Sequence, residues 1–372
     1  MEYKRYDYGD PDAPKYTVTS PFGETTYPKF DYPISIIENY KRSAQLNKPM
    51  WVPLRAMEVQ SISPNDMIRP TDAVKGQSVA MDFTSPKTGD YTFTDWFETE
   101  WTYVHSAGGP MLTPGFVQCE DVTDWEKCVK FPNFDDWDWT TFHEDYMKNR
   151  YDPNKVLAVD IGLGCTERFV SIMGGYTEAM IAFATEPEAC KAFFEAFIDH
   201  EIEQFDRLMA LYPINHLTYH DDWSNEKDTF FSPAMLEDML MEPTKRFIDH
   251  VKSKDVVFDF HICGNMMRFA PYFAQLGVNL MQLQRRAIDA VALKKEYGNY
   301  FGFGGGIEGL TMGTTPTKEE LVKLVRATVD LFAPKGGFYA SVNARDPEVF
   351  WNGITEFYAY SREFYDKENA TI

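Results

Sequence analysis

The chain has 372 residues, 44% of hydrophobic types, enough to bury one large α/β barrel or two smaller domains. A net charge of −21, from 36 basic and 57 acidic side chains with no Lys/Arg cluster, argues against a phosphate-binding surface and so against nucleic acid or an anionic membrane as partner. Five scattered cysteines, no apolar leader and no apolar run near ~20 residues point to a reduced, cytoplasmic protein without a disulfide framework or membrane span.

Residues 1–45 are polar and rich in Tyr, Pro and Asp, and read as an arm over the surface; 46–372 read as the barrel. WVPLRAM at 51–57 reads as a first strand. Residues 69–139 are irregular and dense in Trp, Gly, Pro and Asp, a long insertion of the kind that more often serves function than not. Within it, 91–101 is expected to hold a strand and 106–115 a loop; a helix follows near 140–150. From Lys155 the pattern becomes regular. VLAVDIG, HLTYHDDW, VVFDFHICGN, NLMQLQ, YFGFGGGI and GFYASVN read as strands, each followed by a helical pattern. Ser232 and Thr317 are expected N-caps, Pro233 a first helical residue, and Gly277 and Gly298 stops. About eight strands alternating with helices imply an α/β fold, a (β/α)8 TIM barrel with an irregular amino-terminal arm and a long insertion. An open doubly wound sheet is the alternative. GFGGG at 302–306 marks close backbone approach more readily than phosphate binding.

A barrel of this kind places its site at the carboxyl ends of its strands, which here are polar. His220, Asp221 and Asp222 end one strand, and His261 and Cys263 the next. Gln282, Glu308 and Asn343 follow. In an extended strand Asp259, His261 and Cys263 share a face. An imidazole and a thiol so placed can form half of a metal site; equally, Cys263 can be a small core residue and His261 a hydrogen-bonding one. Asp221 and Asp222 point to opposite faces, so one at most faces the pocket, and either can instead cap a helix. Arg55 can bind a carboxylate or phenolate or form a structural ion pair. Trp96 and Trp101 of the insertion suit a pocket wall for a flat ring as well as they suit core.

HICGN, FAQLGVNLMQLQ, FGFGGGIEGLTMGTTPTKEEL and GGFYASVNARDPEVFWNGI, with DDWSNEKDTFFSP before them, resemble the uroporphyrinogen decarboxylase superfamily over roughly residues 95–365. The resemblance implies a (β/α)8 barrel. His-x-Cys-Gly resembles its cobalamin (corrinoid)-dependent methyltransferase branch, in which His, Cys and a later Cys bind zinc. His261 and Cys263 match. No cysteine follows Cys263, so either zinc is absent or it takes a different third ligand, Asp221, Asp222 or Glu308, of which Glu308 is the expected one. The decarboxylase holds its polycarboxylate substrate with amino-terminal arginines, whereas Arg5, Arg42 and Arg55 here are scattered in an acidic surround. The expected activity is therefore methyl transfer from a small methoxylated, aromatic donor to Co(I) of a corrinoid protein. That cofactor is expected to arrive on a partner, the corrinoid protein. His261, Asp221 and His220 are the expected catalytic groups. Arg55, Trp96, Trp101, Asp222, Gln282 and Asn343 are expected to bind the methyl donor. The alternative is a lyase or hydrolase on the same barrel, acting without cobalt.

Overall fold

The computed structural model describes residues 1–20, 23–63, 89–106, 109–310, 314–342 and 344–371. Its strands are β1 (Lys15–Ser20), β2 (Gly23–Pro28), β3 (Val59–Ile62), β4 (Tyr91–Thr94), β5 (Glu100–Val104), β6 (Gly109–Leu112), β7 (Val156–Ile161), β8 (His216–His220), β9 (Val257–Ile262), β10 (Leu280–Leu283), β11 (Gly302–Gly305) and β12 (Phe338–Ala340). The fold is α/β, of the (β/α)8-barrel class, with parallel strands alternating with helices. Two compact units make it up. One comprises residues 1–60, 153–156 and 278–372; the other, 61–152 and 157–277.

In the first unit β10, β11 and β12 are parallel neighbours, Leu280 lying opposite Gly302 and Phe303 opposite Phe338. The glycine run serves this packing: a Cβ on Gly304 would lie 2.1 Å from the Tyr339 ring. Helix Lys318–Phe332 opens on the expected Thr317, which forms a capping box with Glu320. Leu321, Val325 and Val329 of that helix pack with Ile354 and Phe357 of helix Pro347–Ala370 in the buried core. The expected strand at 51–57 is not one. Leu54 makes a single parallel bridge to Ala340, and Arg55–Glu58 is a helical turn. Pro53 lacks the N–H that a strand ladder needs. The amino-terminal arm holds the β1–β2 hairpin and helix Ile36–Ala44. Arg5 pairs with Glu356 at 2.7 Å and Glu363 at 2.9 Å on the last helix.

In the second unit β7, β8 and β9 are parallel, with Ala158 opposite His216 and His220 opposite His261. β4, β5 and β6 form a separate antiparallel sheet, so the strand expected in 91–101 does not belong to the barrel, and the expected loop at 106–115 includes β6. The cause is local. The Asp95 carboxylate accepts the N–H groups of Phe97 and Thr99 and turns β5 back onto β4, a shorter closure than any crossover. Much of the aromatic content is core: Phe169 lies 5.4 Å from Phe183 and Phe193 and 5.3 Å from Phe194. No described helix is long and apolar enough to cross a membrane.

One buried acid makes stability depend on pH. Glu58 is fully buried; its Oε1 accepts from the Trp51 indole at 2.9 Å and the Tyr32 hydroxyl at 3.3 Å. Burial pushes its carboxyl up to about 8. A folded-state value raised above the unfolded one stabilises fully below the unfolded value, near 4.5, and that contribution is lost as pH rises through 8. Wild type should therefore lose on the order of a few kcal/mol between pH 5 and 8, and Glu58→Gln should lose less. Thermal denaturation of both proteins at the two pH values checks this. Equal losses would mean that Glu58 is ionised in the fold.

Candidate functional site

Alternation along β8 and β9 separates two kinds of face. Tyr219, Phe258 and Phe260 pack outward on one another and on Phe247 and Phe273. The other face is polar. At its base His216 Nε2 lies 3.5 Å from Asp259 Oδ2, both side chains fully buried, and 3.0 Å from Thr218 Oγ1. At its top His220 and His261, opposite in register, have ring centroids 4.5 Å apart. His261 Nε2 lies 3.4 Å from Cys263 Sγ, so the expected shared face is present.

The two aspartates after β8 have different tasks. Asp221 is fully buried. It accepts the N–H of Thr166 at 2.9 Å and of Glu167 at 2.9 Å, capping helix Cys165–Met173, and the Trp223 indole N–H at 2.7 Å. Burial pushes its carboxyl up to about 6, and these hydrogen bonds oppose the rise. Asp221, expected to be catalytic, is thus committed to holding the helix start. Asp222 turns the other way and accepts the Cys263 N–H at 2.6 Å. The loops behind are laced together: the Ser224 hydroxyl donates to the Cys263 carbonyl at 2.6 Å, and the Asn265 N–H to the Asn225 carbonyl at 2.7 Å.

Asp222, His261 and Cys263 each present a ligand atom within 4.8 Å of the others, and all three are half-buried. A tetrahedral zinc with N and S ligands at ~2.05 and ~2.3 Å sets them about 3.6 Å apart. The 3.4 Å His261–Cys263 separation fits. Three ligands of mixed N, S and O type with an open fourth position is the pattern of a catalytic rather than a structural zinc.

Two residues of this site had escaped the sequence reading. Glu167 lies in the first turn of helix Cys165–Met173 and accepts the Asp222 backbone N–H; burial, then the charges of Asp222 and Asp221, raise its carboxyl well above the usual range. Tyr176, raised by burial and by Glu167 and Asp222, stacks on Phe230 at 4.2 Å. An acid in the first turn after a strand end reads as a helix-dipole partner. Its one other sequence signal was its place at a barrel strand's carboxyl end.

The remaining expected residues are placed as follows. Trp101 is buried and donates to Asp95 at 2.9 Å, part of the insertion's scaffold. Trp96 lies 4.9 Å from Trp137 in an aromatic pocket. Arg55, Gln282 and Glu308 lie in the other unit: Arg55 opens the turn before β3, Gln282 is in β10, and Glu308 pairs with Arg285. Among the described residues, it is Asp222 that completes a group with His261 and Cys263. Asn343 lies outside the described residues.

A family model described as "Uroporphyrinogen decarboxylase (URO-D)" matches residues 105–342, well over half of the chain. No curated protein matches. Among solved structures, a methyltransferase from Methanosarcina mazei superposes with TM-score 0.60 at 11% identity, over 89% of this chain and 99% of its own; at that identity the likeness is one of fold. A D-psicose 3-epimerase solved with D-fructose (13% identity, 60% and 79% covered, TM-score 0.33) overlaps too loosely to carry an argument. The same holds for a GH18 chitinase from Flavobacterium johnsoniae (7%, 62% and 81%, TM-score 0.34).

Proposed function

The chain belongs to the uroporphyrinogen decarboxylase family, and on that premise we propose that it is a corrinoid-dependent methyltransferase, an O-demethylase component acting on a small methoxylated aromatic. The observation that carries the reading is the Asp222–His261–Cys263 group, a donor set of the kind that holds a catalytic zinc. Two further observations support it. A solved structure of similar fold is a methyltransferase. The amino-terminal arginines that a polycarboxylate would require are engaged elsewhere: Arg5 with Glu356 and Glu363, Arg42 with Glu38 in its own helix.

In this reading the corrinoid protein is the second substrate, and its Co(I) attacks the methyl carbon in line as the carbon–oxygen bond breaks. The departing oxygen carries the electron pair and must be stabilised. Zinc, when bound, supplies Lewis-acid polarisation of that oxygen. Asp222, His261 and Cys263 would hold the metal; the Cys263 N–H fixes the Asp222 carboxylate, and Asp221 fixes the helix that carries Glu167. His220, against the His261 ring, and Glu167 are the groups placed to move a proton to the oxygen.

The test mixes the protein, a panel of methoxyarenes and a reduced corrinoid protein, and follows the cobalt spectrum. Formation of methyl–Co(III) with release of the phenol is the expected result. The acid cluster Glu167–Asp222–Asp221 favours a second reading, a carboxy-lyase or hydrolase without cobalt. It takes over if no methoxyarene gives methyl–cobalt while the protein alone decarboxylates or hydrolyses a substrate.

A further inference from the structure

The second unit holds a pocket whose lining includes none of Asp222, His261 and Cys263. It has a volume of about 50 Å³ and lies between the insertion, the residues after β7 and helix Pro187–Leu211. Its walls are aromatic. Trp96 and Trp137 lie 4.9 Å apart, the Arg168 guanidinium sits 4.1 Å over the Phe97 ring, and His200 stacks on Phe134 at 4.3 Å.

Four residues of the lining carry buried polar atoms that lack hydrogen-bond partners within the protein. The Trp96 and Trp137 indole N–H groups, Arg168 Nε and Glu201 Oε2 are all buried and make no hydrogen bond. Arg168, Glu201 and Trp137 are 3%, 4% and 7% exposed, so bulk water does not serve them freely. Unmet buried groups of this kind cost about 1–3 kcal/mol each, and four in one place call for a common partner. Asp95 cannot be that partner. Its Oδ1 accepts from Phe97 and Thr99, and its Oδ2 from Trp101 and from Arg168 NH1 at 2.6 Å. Glu201 is not bonded to Arg168 Nε either, since both atoms lack partners.

The charge balance selects the ligand. Arg168 is offset by Asp95. Burial pushes the His200 imidazole down to about 3, so it is neutral, and pushes the Glu201 carboxyl up to about 8, so at neutral pH it carries a proton to donate. Three N–H donors and one O–H donor then surround one small volume. The compact group that offers four or more lone pairs on adjacent atoms and no hydrogen to donate is a carboxylate. Size narrows the class, because 50 Å³ falls well below the ~150 Å³ of a cavity that admits benzene.

We propose that the pocket bounded by Trp96, Trp137, Arg168 and Glu201 is a binding site for a small aliphatic monocarboxylate, separate from the Asp222–His261–Cys263 group. The inference does not depend on the reaction proposed for that group.

Calorimetric titration of the full chain with formate and acetate should show saturable binding of one equivalent, with methylamine and methanol inert. Trp137→Phe and Trp96→Phe keep the ring and remove one N–H each. Each should weaken acetate binding by about 10-fold or more, the range for a hydrogen bond to a charged group. Glu201→Gln, which still donates, should retain binding. Because a variant can fail to fold, the wild-type indole ¹⁵N–¹H resonances of Trp96 and Trp137 provide a second measurement: both should shift on adding acetate. Absence of saturable binding by wild type, or acetate binding that leaves both resonances unmoved and is unchanged in both Phe variants, would show that the pocket holds ordered water only and overturn the proposal.

Discussion

Replacing His261 by alanine should release the metal and lower methyl transfer by about 10²-fold or more. In the proposed site His261 would contribute the nitrogen ligand of a three-residue group; without it only Cys263 and Asp222 would remain. Two ligands hold zinc poorly, and the ligand that is lost also faces His220 at 4.5 Å. The fold should tolerate the change, since His261 is half-buried at a strand end rather than in the core. Elemental analysis should find about one zinc per wild-type chain and little in the variant, with melting temperatures close together. Exogenous imidazole should restore part of both zinc content and rate. A zinc-free wild type with full activity would sink the metal assignment, leaving the His-x-Cys pair a packing or substrate-binding role.

Gly264→Ala should be nearly as damaging, for a steric reason. Gly264 has φ +85°, which costs an L-residue about 1–2 kcal/mol. Its new Cβ would lie 2.4 Å from both the carbonyl carbon and the oxygen of Asn225. These are backbone atoms and cannot rotate aside, so the two loops must separate. Their separation breaks the Asn265–Asn225 bond and strains the Ser224–Cys263 and Cys263–Asp222 bonds that aim the ligands. The total should be roughly 2–4 kcal/mol of stability. A site displaced by ~1 Å should also lose about 10²-fold in rate. Gly162→Ala, with nothing within 4 Å of its added Cβ, is the control and should behave as wild type. Equal melting temperatures and zinc content for Gly264→Ala and Gly162→Ala would contradict the steric argument.

Where the sequence reading succeeded, the signal was local. Branched and aromatic runs became β7 to β12 close to their expected places, because buried parallel strands need an unbroken apolar stretch. Ser232 and Thr317 cap their helices as expected, because a hydroxyl at that position meets a backbone N–H whatever the rest of the chain does. The shared face of His261 and Cys263 followed from strand alternation alone.

Where it fell short, the deciding partner lay far along the chain. Asp95 of the insertion is the turn-maker of a separate sheet and the partner of Arg168, 73 residues away. Trp101 resembled a pocket wall and is held inside the insertion by the same carboxylate. Glu167 reads in the sequence only as a first-turn acid after a strand end, because its chemistry comes from burial beside Asp222, which lies on another strand end.

The sequence by itself determined the α/β alternation, the barrel class and the polar ends of the strands, all of which depend on period, caps and residue type. It also supplied an imidazole and a thiol on one face. Only the tertiary structure decided which of two adjacent aspartates serves the helix and which joins that pair. Asp221 and Asp222 are chemically identical, and their roles separate because the pleat turns one toward the N–H groups of Thr166 and Glu167 and the other toward Cys263.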